Sequence, residues 1–129
     1  MKILDSDHCI AILRGKLDLQ ARVLPTDLLA VTTISVGELT HGAHKSANMA
    51  KNLARVDLLL SALQILPFDA VAARRFGWLK AKLEAKGMGL ATADLQIAAI
   101  ALAEQIPVVT HNQKHFNRVP GLMLEDWLK

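Results

Sequence analysis

Three acidic residues, Asp5, Glu38 and Asp94, lie where short apolar stretches give way to helical patterns. Each sits beside sequence that a fold should bury. An unpaired buried carboxylate is costly or takes up a proton. Three acids gathered at one end of a sheet would repel each other, and a hard divalent cation with oxygen ligands would hold them together. Mg²⁺ suits such a donor set, with Mn²⁺ as the softer alternative. A bound divalent ion makes water a better nucleophile and offsets charge building on phosphorus during in-line attack. The chemistry that follows is hydrolysis at a phosphate by metal-activated water.

Each acid also has a plain structural account. Asp5, Ser6 or Asp7 would cap a first helix. Ser35-Val36-Gly37-Glu38 has the pattern of a capping box, with the acid reaching back to the cap amide. Asp94, two residues after Thr92, would be favoured by a helix dipole. The functional case rests on the conjunction, because every acid falls on a strand-to-helix crossing. Clustered acids repel a phosphate, so attraction must come from cations around them. Lys45, Arg74, Lys82 and Lys114 are the candidates for this attraction, against the plain reading of solvated helix faces. The histidines, His8, His41, His44, His111 and His115, read as surface residues, with His111 beside the proposed site. No H-E-x-x-H motif occurs. Cys9, the only cysteine, leaves no internal disulfide or cysteine zinc site and reads as a buried helix residue.

The elements that would position these residues alternate along the chain. Lys2 to Leu4 reads as a strand ending at Asp5, and His8 to Leu13 as a helix stopped by Gly15. Leu17 to Leu24 reads as a second short helix before Pro25. Leu29 to Thr33 is a β-branched strand, and Ser35 is expected to cap a helix reaching His44. Ala47 to Leu63 carries apolar residues at helical period. Ile65 to Phe68 is a strand, and Asp69 caps a helix continuing to Lys86, before Gly87. Thr92 to about Glu104 is a helix whose stretch Leu95 to Leu102 is apolar nearly all round, which places it centrally against the sheet. Pro107 to Thr110 is a strand, Gln113 to Phe116 a short helix, and Leu122 to Leu124 a last strand. The alternation predicts an α/β fold with a mostly parallel sheet and helices on both faces. In such sheets ligands sit beyond the carboxyl ends of the strands. Asp5 and Asn112 both fall there.

The chain's 129 residues suit one domain, and 52% hydrophobic content supports a real core. No apolar run is long enough for a membrane span, and the acid at position 5 interrupts any signal-peptide pattern. A cytoplasmic protein is expected. A net charge of +3 is too mild for a DNA-coating protein, and 4% aromatics with no tyrosine argues against a base-stacking platform.

Four segments in order carry a resemblance. Ile3-Leu4-Asp5-Ser6-Asp7 resembles an L-D-T-N start. Ser35-Val36-Gly37-Glu38-Leu39 with Gly42-Ala43-His44-Lys45-Ser46 is similar to S-x-x-E-L-x-x-G-A-x-K-S. Ala91 to Ala99 resembles G-P-N-D-x-x-I-A-A. Val109-Thr110-His111-Asn112 and Phe116 to Leu122 look like V-T-x-N…F-x-x-V-P-G-L. Together they resemble the PIN-domain ribonucleases, and more closely the VapC-type toxins of toxin–antitoxin pairs, over nearly the whole chain. The resemblance implies a PIN-like three-layer α/β/α sandwich with about four to five strands. It implies a metal-dependent endoribonuclease acting on RNA such as tRNA, a homodimer, and a cognate antitoxin whose tail blocks the site. Asp5 and Asp94 would be the principal metal ligands, and Glu38 an acid that binds metal or activates water. Asn112 would fill a fourth position, where many relatives have aspartate, with Thr110 in support. Asp7 departs from the family's usual asparagine, adding a negative charge, and Gly89, Thr92 and Ala93 depart from the residues usual before Asp94.

Two other functions compete. Asp5-x-Asp7 after the first strand is similar to the D-x-D of haloacid-dehalogenase-like phosphatases, in which Asp5 would be the nucleophile. A noncatalytic α/β binding module would keep the acids only as caps. Neither G-x-G-x-x-G nor a P-loop occurs.

Overall fold

The computed structural model describes residues 1–128. Five strands are β1 (Lys2–Leu4), β2 (Leu29–Thr32), β3 (Gln64–Leu66), β4 (Val108–Val109) and β5 (Leu124–Glu125). They pair in the order β3-β2-β1-β4-β5, and every pairing is parallel. Parallel neighbours need long crossovers, which helices supply. The helices are α1 (Ser6–Leu13), α2 (Thr33–His44), α3 (Met49–Ser61), α4 (Ala70–Ala85), α5 (Thr92–Glu104) and α6 (Gln113–Phe116).

Side-chain alternation along the strands sorts the core into two layers. Ile3, Ala30 and Val108 point to one face, where Leu79 and Leu83 of α4, Leu95 and Ile97 of α5 and Phe116 of α6 close over them. The next residue along each strand, Leu4, Val31 and Val109, points to the other face. There they meet Cys9 of α1, Leu39 and Ala43 of α2 and Val56 of α3. The central strands β1, β2 and β4 are covered on both sides, which is why they read as continuous apolar runs. This is the expected three-layer sandwich. Ala98 and Ala101 of α5 have no exposed surface, consistent with small residues letting that helix approach closely. Among the described residues, no helix is long and apolar enough to cross a membrane.

Several boundaries differ from expectation for physical reasons. The stretch Leu17 to Leu24 holds only a 3₁₀ turn, Leu19–Ala21, capped by Asp18. The Asp18 side chain accepts the Gln20 amide at 3.0 Å and closes this local turn, while Leu17, Leu19 and Val23 lean on the α1–α3 core. The second strand ends at Thr32, and Thr33 already belongs to α2. The last strand lies later than expected, at Leu124–Glu125. Helix α4 ends in the glycine arrangement its sequence suggests. Gly87 adopts φ +67°, the Met88 amide donates to the Leu83 carbonyl at 2.8 Å, and the Gly87 amide to that of Glu84 at 3.0 Å.

The strand order creates one special crevice. From β1 the chain builds outward through β2 and β3, then returns to place β4 and β5 on β1's other side. The order therefore reverses between β1 and β4. In open parallel sheets the gap beyond the carboxyl ends at such a reversal is where ligands bind. Asp5 follows β1 and Thr110 follows β4, so these two residues flank that gap.

Candidate active site

Asp5 is held by both carboxylate oxygens. As the N-cap of α1 its Oδ1 accepts the Ser6 amide proton at 2.8 Å, and its Oδ2 accepts the Thr110 hydroxyl at 2.7 Å. Its own amide donates to the Val109 carbonyl at 2.9 Å, tying the ends of β1 and β4 together. The residue is only 8% exposed. Burial raises its carboxyl from 3.8 to about 6; the charges of Asp7 and Asp94 add to this, and the bonds from Thr110 and Ser6 oppose it.

Asp94 stands in the first turn of α5, half-buried. Burial pushes its carboxyl above the ordinary range, helped by the charges of Glu38 and Asp7 and opposed by His115, whose Nδ1 lies 3.8 Å from Asp94 Oδ2. Glu38 is exposed, and its Oε1 accepts the Ser6 hydroxyl at 2.8 Å, linking α2 to α1. The capping box expected at Ser35 is not formed. Thr32 caps α2 instead, its Oγ1 accepting the Ser35 amide at 3.2 Å, while the buried Ser35 hydroxyl has no protein partner among the described residues. Because α2 begins at Thr33, Glu38 falls in its second turn, one turn later than expected, and reaches the site rather than its own helix end.

Thr110 is fully buried, and its Oγ1 also accepts the Asn112 amide at 3.0 Å. Asn112 precedes α6, and its side-chain amide lies 3.1 Å from His115 Nδ1. Asp7 is half-buried: its Oδ1 meets His8 Nδ1 at 2.7 Å and its Oδ2 accepts the His111 amide at 2.9 Å. Burial works against ionisation of Asp7, but the bonds from His8 and His111 outweigh it and hold the carboxyl below the usual range.

The fold thus brings Asp5 and Asp7 within electrostatic reach of Asp94, and Asp94 within reach of Glu38, with Thr110 bonded to Asp5 and to the Asn112 amide beside them. Among the described residues, no lysine or arginine bridges any of these acids; the one Lys–carboxylate bridge is Lys2–Glu125, at 2.8 Å. Nor do three acid, histidine or cysteine side chains there close into a finished metal cage. The donor set is open and made of oxygens, which suits an ion that keeps part of its water shell. Of the four basic candidates, Lys114 lies in α6 two residues beyond Asn112, and Lys45 caps the far end of α2. Arg74 and Lys82 are exposed on α4, where Lys82 Nζ stands 5.7 Å from the centre of the half-exposed Trp78 ring.

Three site neighbours escaped the sequence reading. His8, expected at the surface, is wholly buried. Asp126 receives His111 Nδ1 at 2.9 Å, and the Trp127 amide donates to His8 Nε2 at 3.0 Å. A carboxylate directly after the last strand, in line with Asp5 after the first, was the available signal for Asp126. Cys9 is buried as expected, and burial, with Asp5 and Asp7 nearby, pushes its thiol up to about 12.

A parallel sheet with an acid cluster at its order reversal defines a class, and residues 2–122 match the PIN domain family model. The chain belongs to the PIN-domain family. It is 34% identical to ribonuclease VapC2 of Rickettsia felis, the match covering 98% of each chain. It is 35% identical to the tRNA(fMet)-specific endonuclease VapC of Salmonella typhimurium, over 97% of this chain and 96% of that one. The crystal structure of DNA-bound VapBC from Salmonella typhimurium superposes with a TM-score of 0.92 at 35% identity, covering 98% of this chain and 97% of that chain.

Proposed function

We propose that this chain is a divalent-metal-dependent endoribonuclease and the toxin of a toxin–antitoxin pair. The observation that carries the reading is Asp5: a buried carboxyl pushed up to about 6, facing other acids, with no lysine or arginine bridging it among the described residues. Support also comes from the relatives named ribonuclease VapC and from the VapBC complex that shares the fold.

In this reading Asp5 and Asp94 hold Mg²⁺, or Mn²⁺, with Glu38 as a further ligand or the base that orients water. When bound, the cation would polarise water and offset charge on the phosphate. Thr110 keeps Asp5 turned toward the cation and holds the Asn112 backbone. Asn112 lines the same corner as a neutral group, and Asp7 supports it from α1. Ser6 keeps Glu38 aimed at the site. Lys114, two residues beyond Asn112 on α6, would hold RNA phosphates near it, and Lys45 at the far end of α2 with the exposed Arg74 and Lys82 on α4 would be further RNA contacts. The substrate is RNA, and a tRNA is favoured by the relative named for tRNA(fMet). The described residues build one sheet with its two helical layers, in keeping with a single domain over residues 1–129. A cytoplasmic location and a homodimer accompany this assignment as further expectations.

A groove of about 320 Å³ runs between α1, α2 and α3, walled by Ile10, Leu13, Leu39 and Val56, with Glu38 on its lining. Arg14 and Arg55 flank it, and the Arg55 guanidinium donates to the Leu13 carbonyl. An antitoxin segment lying there would pass beside the acid cluster, which accords with inhibition by a bound tail. The phosphatase alternative has less support, because the family match and the named relatives are PIN-domain ribonucleases.

The test is RNA cleavage by the purified chain with Mg²⁺ or Mn²⁺, with EDTA, and as Asp94→Asn. Cleavage that needs the metal and vanishes in the folded variant supports the assignment. Undiminished cleavage by Asp94→Asn would sink it.

A further inference from the structure

The side chain of His8 has no exposed surface, and both ring nitrogens are engaged. The Trp127 amide is a fixed donor, and it meets Nε2 at 3.0 Å. That nitrogen must therefore present a lone pair, which leaves the ring proton on Nδ1. Nδ1 points at Asp7 Oδ1, 2.7 Å away. The other Asp7 oxygen accepts the His111 amide at 2.9 Å and lies 3.4 Å from Thr110 Oγ1. One charged group also faces Nε2, the Asp126 carboxylate at 3.7 Å, which is beyond hydrogen-bond distance. Asp126 is instead engaged by the Leu128 amide at 2.9 Å and by the His111 ring.

A carboxylate has no donor of its own, so Asp7 needs one on each oxygen to hold a fixed orientation. It receives them from His8 and from the loop after β4. An asparagine at this position, as the family resemblance leads one to expect, would carry a donor itself. We propose that His8 is a positioning residue, locked as the Nδ1–H tautomer by the Trp127 amide, which fixes Asp7 and through it the Thr110–His111 corner beside Asp5. The C-terminal residues Asp126 and Trp127 are then structural parts of the acid site, although more than a hundred residues separate them from Asp5.

Three readouts test this, and only the last rests on the cation reading above. Long-range proton–nitrogen NMR of the metal-free protein reports the tautomer directly. A protonated Nδ1 and bare Nε2 are expected, and the opposite tautomer overturns the proposal. The variants His8→Asn and His8→Gln separate the two nitrogens, since an asparagine amide reaches the Nδ1 position and a glutamine amide the Nε2 position. His111 is exposed, so its amide owes its protection to the bond with Asp7. Hydrogen exchange at that amide accelerates on the order of tenfold in His8→Gln, the loss of about one hydrogen bond, and stays at the wild-type rate in His8→Asn. Equal exchange in both variants overturns the positioning role. Should His8→Gln not fold, the wild-type tautomer and the His8→Asn exchange rate still decide the matter. Titration with Mn²⁺ alone is the third readout, where His8→Gln weakens binding by roughly tenfold and His8→Asn restores it. Unchanged Mn²⁺ affinity in His8→Gln contradicts positioning. Absence of Mn²⁺ binding by wild type contradicts the cation reading instead, while the first two readouts still judge His8.

Discussion

Asp5→Asn is expected to stabilise the metal-free protein at neutral pH and to destabilise it in acid. In the unfolded chain the Asp5 carboxyl titrates near 3.8, and in the folded chain near 6. Between these values the folded state binds the extra proton, so falling pH favours folding. The stabilising contribution of the protonated acid is fully present below pH 3.8 and is lost as pH rises through 6. At about 1.36 kcal/mol per pH unit, the shift corresponds to a cost on the order of 3 kcal/mol for keeping Asp5 ionised at pH 8. Asparagine has no such cost, but its single acceptor oxygen serves only one of the two donors, Ser6 N–H and Thr110 Oγ1–H. The bond lost is worth about 1 kcal/mol. The net gain at pH 8 is therefore about 2 kcal/mol, or roughly 7 °C in Tm for a chain of 129 residues. At pH 3.5 only the lost bond remains, and the sign reverses. Thermal melts followed by circular dichroism in EDTA, at both pH values, measure this. Added Mn²⁺ is expected to raise the Tm of wild type far more than that of the variant, because it stabilises in proportion to binding. An equal Tm offset at both pH values, or a variant less stable at pH 8, would refute the account of Asp5 as a buried acid awaiting a cation.

Three further substitutions probe the supports. Thr110→Val removes the buried hydroxyl that donates to Asp5; it moves the Asp5 titration up by about one further pH unit, which carbon NMR of the carboxyl reports, and an unmoved titration would deny Thr110 its role. Thr32→Ala deletes the cap of α2 and is expected to cost about 1 kcal/mol in urea unfolding, whereas Ser35→Ala, whose hydroxyl accepts nothing from the helix, is not.

The centre of the sheet was legible because β1, β2 and β4 are buried on both faces and so appear as apolar runs bounded by polar residues; the edge strands β3 and β5 are more exposed and give a weaker signal. The acids were legible as a group because strand ends and helix starts mark one rim of such a sheet. What escaped was set by contacts distant in sequence. His8 is buried in the whole fold, and its Nε2 accepts the amide of Trp127 from the far end of the chain, a contact that spacing within α1 does not show. Asp126 acquires meaning only once β5 pairs with β4. Thr32 and Ser35 are both good capping residues, and the choice between them depends on where β2 lets go of β3, since Thr32 still pairs with Leu66. That difference moves Glu38 by a full turn. The helix expected at Leu17 to Leu24 gives way to a turn capped by Asp18, with its apolar residues held against the α1–α3 core, a packing that apolar spacing does not reveal.

The central claim is that Asp5 and Asp94 share one divalent cation. A crystal structure of the chain grown with Mn²⁺, phased on the anomalous signal of the metal, tests it most directly. The account predicts a manganese peak at the carboxyl ends of β1 and β4, with an oxygen of Asp5 and one of Asp94 among its ligands. A fully occupied crystal with no peak there, or with the two carboxylates turned away from each other, would contradict it.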